Sequence, residues 1–145
     1  MATKVDGRGA TIDTLLQLKD AGLVAASAAA QVSGSDQVLD LGDGEIEGHI
    51  LIDISAAEVD TGDELYTITL QGDDANTFAT DAVELASFKA GDATQLVGTA
   101  DITTGRFKIP FSNRHGDRTC QYVRLYTTVA GTIATGINYV AYLAA

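Results

Sequence analysis

The sequence predicts an all-β protein: an antiparallel β-sandwich preceded by an N-terminal arm. Three observations carry that prediction. Seven or eight short stretches alternate apolar and polar residues with a period of two. Clusters of glycine, aspartate and asparagine separate them at near-regular intervals, and helical periodicity is almost absent. The alternation does not give a strand order, and no repeat of the propeller or solenoid kind is present.

Residues 1–36 differ in kind from residues 37–145, which read as a single sandwich domain. Residues 1–10 are polar and glycine-containing, as flexible or partner-ordered ends are. IDTLLQLK, at 12–19, fits a short helix. Thr11 would cap it, Asp13 would sit in its first turn, Ile12, Leu15, Leu16 and Lys19 would share a face, and Gly22 would follow its end. It fits an extended arm equally, because Thr14, Leu16 and Leu18 alternate and so short a helix is marginal alone. LVAASAAAQVSGSD, at 23–36, has little side-chain mass and can lie flat against another surface.

Val38, Leu39 and Leu41 open the domain, and the glycine-acid run GDGEIEG follows. GHILIDIS at 48–55 turns Ile50, Ile52 and Ile54 inward; DTGD at 60–63 is a turn; ELYTITLQ at 64–71 puts Tyr66, Ile68 and Leu70 on one face. These two stretches read as an antiparallel hairpin. GDDAN makes the next loop, VELASFK at 83–89 is a weaker strand and KAGDATQ another turn. GRFKIPF at 105–111 buries Phe107, Ile109 and Phe111, and Pro110, which has no N–H to donate, places the strand at an edge or ends it there. SNRHGDRT at 112–119 reads as an exposed loop.

The clearest strand is CQYVRLYTTVAG at 120–131. Val123, Leu125, Thr127 and Val129 point one way; Tyr122, Arg124, Tyr126 and Thr128 point the other. ATGINYVAYL at 134–143 alternates Ile137, Tyr139, Ala141 and Leu143 and reads as its hairpin partner.

The formal charge of −11 is uneven. Residues 1–88 hold 17 acids and 3 bases; residues 89–145 hold 3 acids and 6 bases. So acidic a chain, with scattered bases, is repelled by nucleic acid, and the asymmetry suits head-to-tail contacts or a charged partner. No stretch approaches the roughly 20 apolar residues of a membrane span. MATKVDGRGATID has charges and glycines where a signal peptide is apolar, so a soluble protein made in a cytoplasm is expected. Cys120 is the only cysteine, which rules out an internal disulfide and a cysteine-rich metal site and suggests a small buried hydrophobe.

Candidate chemistry is sparse. DLGDGEIE at 40–47 packs four carboxylates around two glycines but lacks the acid spacing of a helix-loop-helix calcium site, so it reads as a solvated acidic turn. His49 shares a strand face with Leu51 and Asp53, and His115 sits among Arg114, Asp117 and Arg118; neither accompanies a recognisable nucleophile. No glycine loop carries the lysine of a phosphate cradle. The expectation is therefore no catalytic residue, no cofactor and no metal.

Three pieces resemble small capsid cement (decoration) proteins of tailed bacteriophages. They are TLLQLKDAGLVAASAAAQV running into VLDLG, GRFKIPF, and QYVRLYTTVAGT leading into TGINYVAYL, which together span much of the chain. The resemblance implies a jelly-roll-like sandwich and a non-enzymatic virion protein, made in the host cytoplasm. Such a protein binds the outer capsid surface, often as a homotrimer, and ties neighbouring major capsid subunits together. It also implies an extended conformation over 12–30. On this reading Leu15, Leu16 and Leu18 anchor the arm to the lattice or a neighbour. Tyr122, Arg124 and Tyr126 then make trimer contacts, unless those tyrosines face the protein's own second sheet. The other function class is a carbohydrate-binding or adhesion β-sandwich, with the two tyrosines as a sugar platform; the absence of tryptophan counts against it.

Overall fold

The alternating segments form long strands because β-branched and aromatic side chains fit a pleated surface that sends successive residues to opposite faces. The computed structural model describes residues 3–5, 11–13, 16–98 and 100–144. Eight short strands come first: β1 (Thr3–Val5), β2 (Thr11–Asp13), β3 (Gln17–Lys19), β4 (Leu23–Val24), β5 (Ala28–Ala29), β6 (Gln31–Val32), β7 (Ser35–Asp36) and β8 (Leu39–Asp40). Then come β9 (Glu47–Ala57), β10 (Leu65–Asp73), β11 (Val83–Gly91), the one-turn helix α1 (Ala93–Leu96), β12 (Gly105–Ser112), β13 (Arg114–His115), β14 (Arg118–Thr119), β15 (Tyr122–Ala130) and β16 (Ile137–Ala144).

Two antiparallel sheets face each other. The first runs β11-β10-β15-β5, with β8 also on β15; the second runs β12-β9-β16-β3, with β4 also on β16. Ile50, Ile52 and Ile54 of β9, with Ile137, Tyr139 and Leu143 of β16, bury against Tyr66, Ile68 and Leu70 of β10 and Val123 and Leu125 of β15. Each such side chain contributes about 1.5–3 kcal/mol by leaving water. The buried hydroxyls are satisfied: Thr127 and Tyr139 hydrogen-bond across the core at 2.6 Å, and Tyr66 donates to the Glu58 carbonyl at 2.8 Å. Burial first, and the Glu58 and Glu64 charges second, push the Tyr66 pKa up to about 12.

The sandwich is as expected, but neither expected hairpin exists. β9 pairs with β12 and β16, whereas β10 pairs with β11 and β15. β15 and β16 likewise lie in different sheets. Residues 58–64 and 131–136 are therefore arches that carry the chain from one layer to the other. Alternation marks a strand's inward face and is silent about which sheet it joins. The jelly-roll connectivity that the resemblance implies is not established by these pairings. Pro110 does lie on an edge strand, β12, whose partner in the second sheet is β9.

Apart from a 3₁₀ turn at Leu16, the described strands of the arm are extended and no α-helix forms among its described residues. β3 and β4 add to β16, while β5 and β8 add to β15, so residues 17–40 finish the same side of both sheets. Small side chains permit this close approach: Ala30 is buried and its N–H donates to the Leu125 carbonyl at 2.9 Å. Leu18 enters the sandwich core with no exposed surface, and Leu16 packs half-buried beside the core. Leu18 is the extra residue at a register shift, with Lys19 paired to Ala141 and Gln17 to Tyr142. Lys19 itself is buried, and its ammonium donates to the carbonyls of Asp20 (2.9 Å), Gly22 (3.0 Å) and Tyr139 (2.9 Å), 4.6 Å from the Tyr139 ring centre. Burial lowers its pKa, partly opposed by the Asp20 charge.

Three carboxylates fasten the arches. Glu58 accepts the backbone N–H groups of Ala134 (2.9 Å), Thr135 (2.6 Å) and Gly136 (3.2 Å). Asp63 accepts the N–H (3.0 Å) and hydroxyl (2.9 Å) of Thr132, and buried Glu64 accepts the N–H groups of Thr61 (2.7 Å) and Gly62 (2.9 Å). The Thr135 N–H leads in lowering the Glu58 pKa, and the Thr61 hydroxyl leads for Asp63. For Glu64, burial raises the pKa, but the bonds from Thr61 outweigh it and the net shift is downward. All three groups bind fewer protons folded than unfolded, so their stabilisation is complete above the ordinary carboxylate range and fades as pH falls through the depressed values. Thermal midpoints should hold steady or rise slightly from pH 7 to about 5, as the net charge of −11 shrinks, and then fall below about pH 4. Glu58→Gln should blunt that acid fall; an identical acid limb in the variant would remove Glu58 from the explanation.

Candidate functional site

β15 positions the residues singled out from the sequence. It is an interior strand, with Tyr122, Arg124 and Tyr126 opposite Asp73, Gln71 and Thr69 of β10. Val123, Leu125 and Thr127 are buried between the sheets, so the two tyrosines and the arginine lie on the outer face. They do not face the protein's second sheet, which settles the alternative left open by the alternation alone. All three are half-buried rather than exposed.

The cover comes from the connection between β10 and β11, residues 74–82. Phe78 lies over the Arg124 guanidinium, 4.5 Å from its ring centre, while the Tyr126 ring centre is 5.7 Å from the same group. Arg124 Nε donates to the Gln71 side-chain oxygen at 2.8 Å. A guanidinium held on an aromatic face is worth about 1 kcal/mol or more when partly desolvated. Phe78 is only 8% exposed, yet it lies outside the sandwich core. Its φ of +53° is a left-handed conformation that a bulky residue rarely adopts.

Arg118 of β14 holds the ends of this connection. Its guanidinium donates to Asp73 (3.0 Å), to Asp74 (3.1 Å) and to the Asp81 carbonyl. Burial would lower the Arg118 pKa, but the hydrogen bond and charge of Asp74 raise it overall. The stretch read as an exposed loop is thus a small hairpin, β13 with β14, carrying a structural arginine. At its base, buried Asn113 accepts the Ile46 N–H and donates to the carbonyls of Gly44 and Cys120. Neither role was legible, because a single arginine or asparagine within a polar run has no periodicity to mark it.

The remaining candidates divide plainly. Leu18 is enclosed in the chain's own core instead of offering itself to a neighbour, Leu16 lies half-buried beside it, and Leu15 lies outside the described residues. In the acidic turn, Asp40 accepts the Gly42 N–H and the Gln121 amide, and Glu45 pairs with Arg114. No three histidine, cysteine, aspartate or glutamate side chains among the described residues are placed to hold a metal ion. Cys120 is fully buried, and burial raises its pKa. Glu47, His49 and Ser112 line one open groove of about 630 Å³ with Leu85, Pro110 and Phe111. Among the described residues no hydrogen bond joins those three polar side chains; the Ser112 hydroxyl instead accepts the Arg114 N–H at 3.2 Å. The nucleophile–base contact that acyl transfer needs is therefore not formed there. No described helix is long and apolar enough to cross a membrane.

No protein-family model matches this chain, and no curated protein matches it.

Proposed function

We propose that this chain is a structural virion protein that binds the outer surface of a tailed-phage capsid as a homotrimer and cements neighbouring major capsid subunits. The observation that carries this reading is the N-terminal hairpin. β1 and β2 pair with each other as a separate two-stranded sheet that shares no ladder with either layer, and β2 lies against β16. A lone two-stranded hairpin is marginal in water and gains stability from a surface it can lie on. A rigid sandwich carrying an element that rests on it without a shared ladder suits a protein that can pass that element to a neighbour's surface. The sequence resemblance supports the same reading.

Three weak contacts presented by one trimer bind an ordered lattice far more tightly than one, because the second and third form at high effective concentration. The chain's work is then mechanical and non-enzymatic, carried out at the outer capsid surface after synthesis in the host cytoplasm, without nucleic acid, membrane or cofactor. Placement of Arg124 between Phe78 and Tyr126 takes from the carbohydrate-binding alternative the open aromatic platform it requires.

The test pairs light scattering of the pure protein with co-sedimentation on capsids, for the whole chain and for a chain lacking residues 1–14. A three-chain mass, capsid binding by the whole chain, and weaker binding with an unchanged thermal midpoint for the shortened chain are expected. A monomer at micromolar concentration that ignores capsids, or equal binding by both chains, overturns the reading.

A further inference from the structure

We infer that residues 74–82 form a latched cover over the outer face of β15, opening as a unit while the sandwich stays folded. Arg118 is the latch, and the face uncovered presents Arg124 and Tyr126. Four observations converge on this. Phe78 is buried over Arg124 but is not in the cluster packed between the two sheets, so lifting it leaves that cluster intact. Its backbone is held in a left-handed conformation, φ +53°, which relaxes once the ring leaves its seat. One side chain pins both ends of the segment: Arg118 bonds Asp73 and Asp74 at one end and the Asp81 carbonyl at the other. Finally, Arg118 sits on the separate β13–β14 hairpin, so losing its contacts does not break the pairing of β10 with β11 or β15.

With the cover closed, the guanidinium of Arg124 spends its face on Phe78 and its Nε on Gln71. With the cover open, the same strand offers a cation flanked by two tyrosines. That chemistry recognises a carboxylate-bearing protein surface through hydrogen bonds and ring contacts. This consequence rests on the proposal that β15 bears a contact surface; the opening itself does not.

Chymotrypsin reads the opening directly, because cleavage after Phe78 requires the ring to leave its seat, and slow cleavage tracks the open population. In the whole chain, Arg118→Gln should raise the rate of cleavage after Phe78 at least about tenfold, with a far smaller change in the thermal midpoint. In the unmodified protein, cleavage at Phe78 should scarcely depend on urea below the unfolding transition, since a local opening exposes little surface. Should cleavage at Phe78 be equally fast in both proteins, or follow urea as steeply as cleavage within β10 and β15, the segment belongs to the sandwich's own cooperative unit and the inference is wrong. The urea arm decides the matter even if Arg118→Gln does not fold. Capsid co-sedimentation of Arg118→Gln separates the two claims. Faster cleavage without tighter capsid binding leaves the cover in place and removes this face from the cement reading.

Discussion

Replacing Leu18 with alanine should destabilise the fold by about 3 kcal/mol, in the middle of the range for emptying a buried leucine site. Leu18 has no exposed surface and joins the same cluster as the isoleucines of β9 and the tyrosine of β16. Its strand β3 lies beside β16, so the cavity would open where residues near the two ends of the chain meet. Urea or thermal unfolding measures the loss. Leu16→Ala, at a half-buried position, should cost less. A loss below about 1 kcal/mol for Leu18→Ala would mean that the arm is not seated as described.

Gly136→Ala should be comparably severe for a different reason. Gly136 sits at φ +88°, and a β-carbon there would stand 1.9 Å from the Val24 carbonyl oxygen. Both obstacles are backbone, so the clash cannot be relieved by a rotamer change. Left-handed backbone alone costs about 1 kcal/mol for alanine, and the arm must also move away from β16. The expected result is a loss of about 3 kcal/mol, in the range of other strained or overpacked substitutions, with new protease sensitivity between residues 20 and 30. Gly44→Ala is the control: its φ is not positive and no heavy atom lies within 4 Å of the added carbon, so it should be nearly neutral. Equal melting of the two variants would refute the packing of β4 on β16.

The long strands were legible because period-two patterning follows from burial on one face. Ile50, Ile52 and Ile54, and Val123, Leu125 and Thr127, point inward as their spacing requires. Connectivity was not legible. An arch and a hairpin can have the same turn residues, and the difference here is made by Glu58, Asp63 and Glu64 binding backbone N–H groups, a geometry without a sequence pattern. The arm's pairing partners were not legible because its pairings are two or three residues long, too short for alternation to appear, and because alanine reads as featureless although its smallness admits the Ala30–Leu125 contact. The outer face of β15 was located correctly, yet its cover depends on Phe78 and Arg118, isolated residues in polar loops whose partners lie 46 and 45 positions away.

The position of β16 between β9 and the arm strands has a consequence for synthesis. The last long strand to be made is an interior strand of its sheet, and β15, made just before it, is interior to the other. β4 lacks its sheet neighbour until Asn138 has been translated and β3 until Tyr142, more than a hundred residues later. The nascent chain therefore waits with open edges on β9 and β10, and closure joins segments far apart in sequence, which slows folding. A chain ending before Gly136 has β15 to cover β10 but lacks β16, so the edge of β9 stays open to other chains, and aggregation of truncated products is the failure this topology invites.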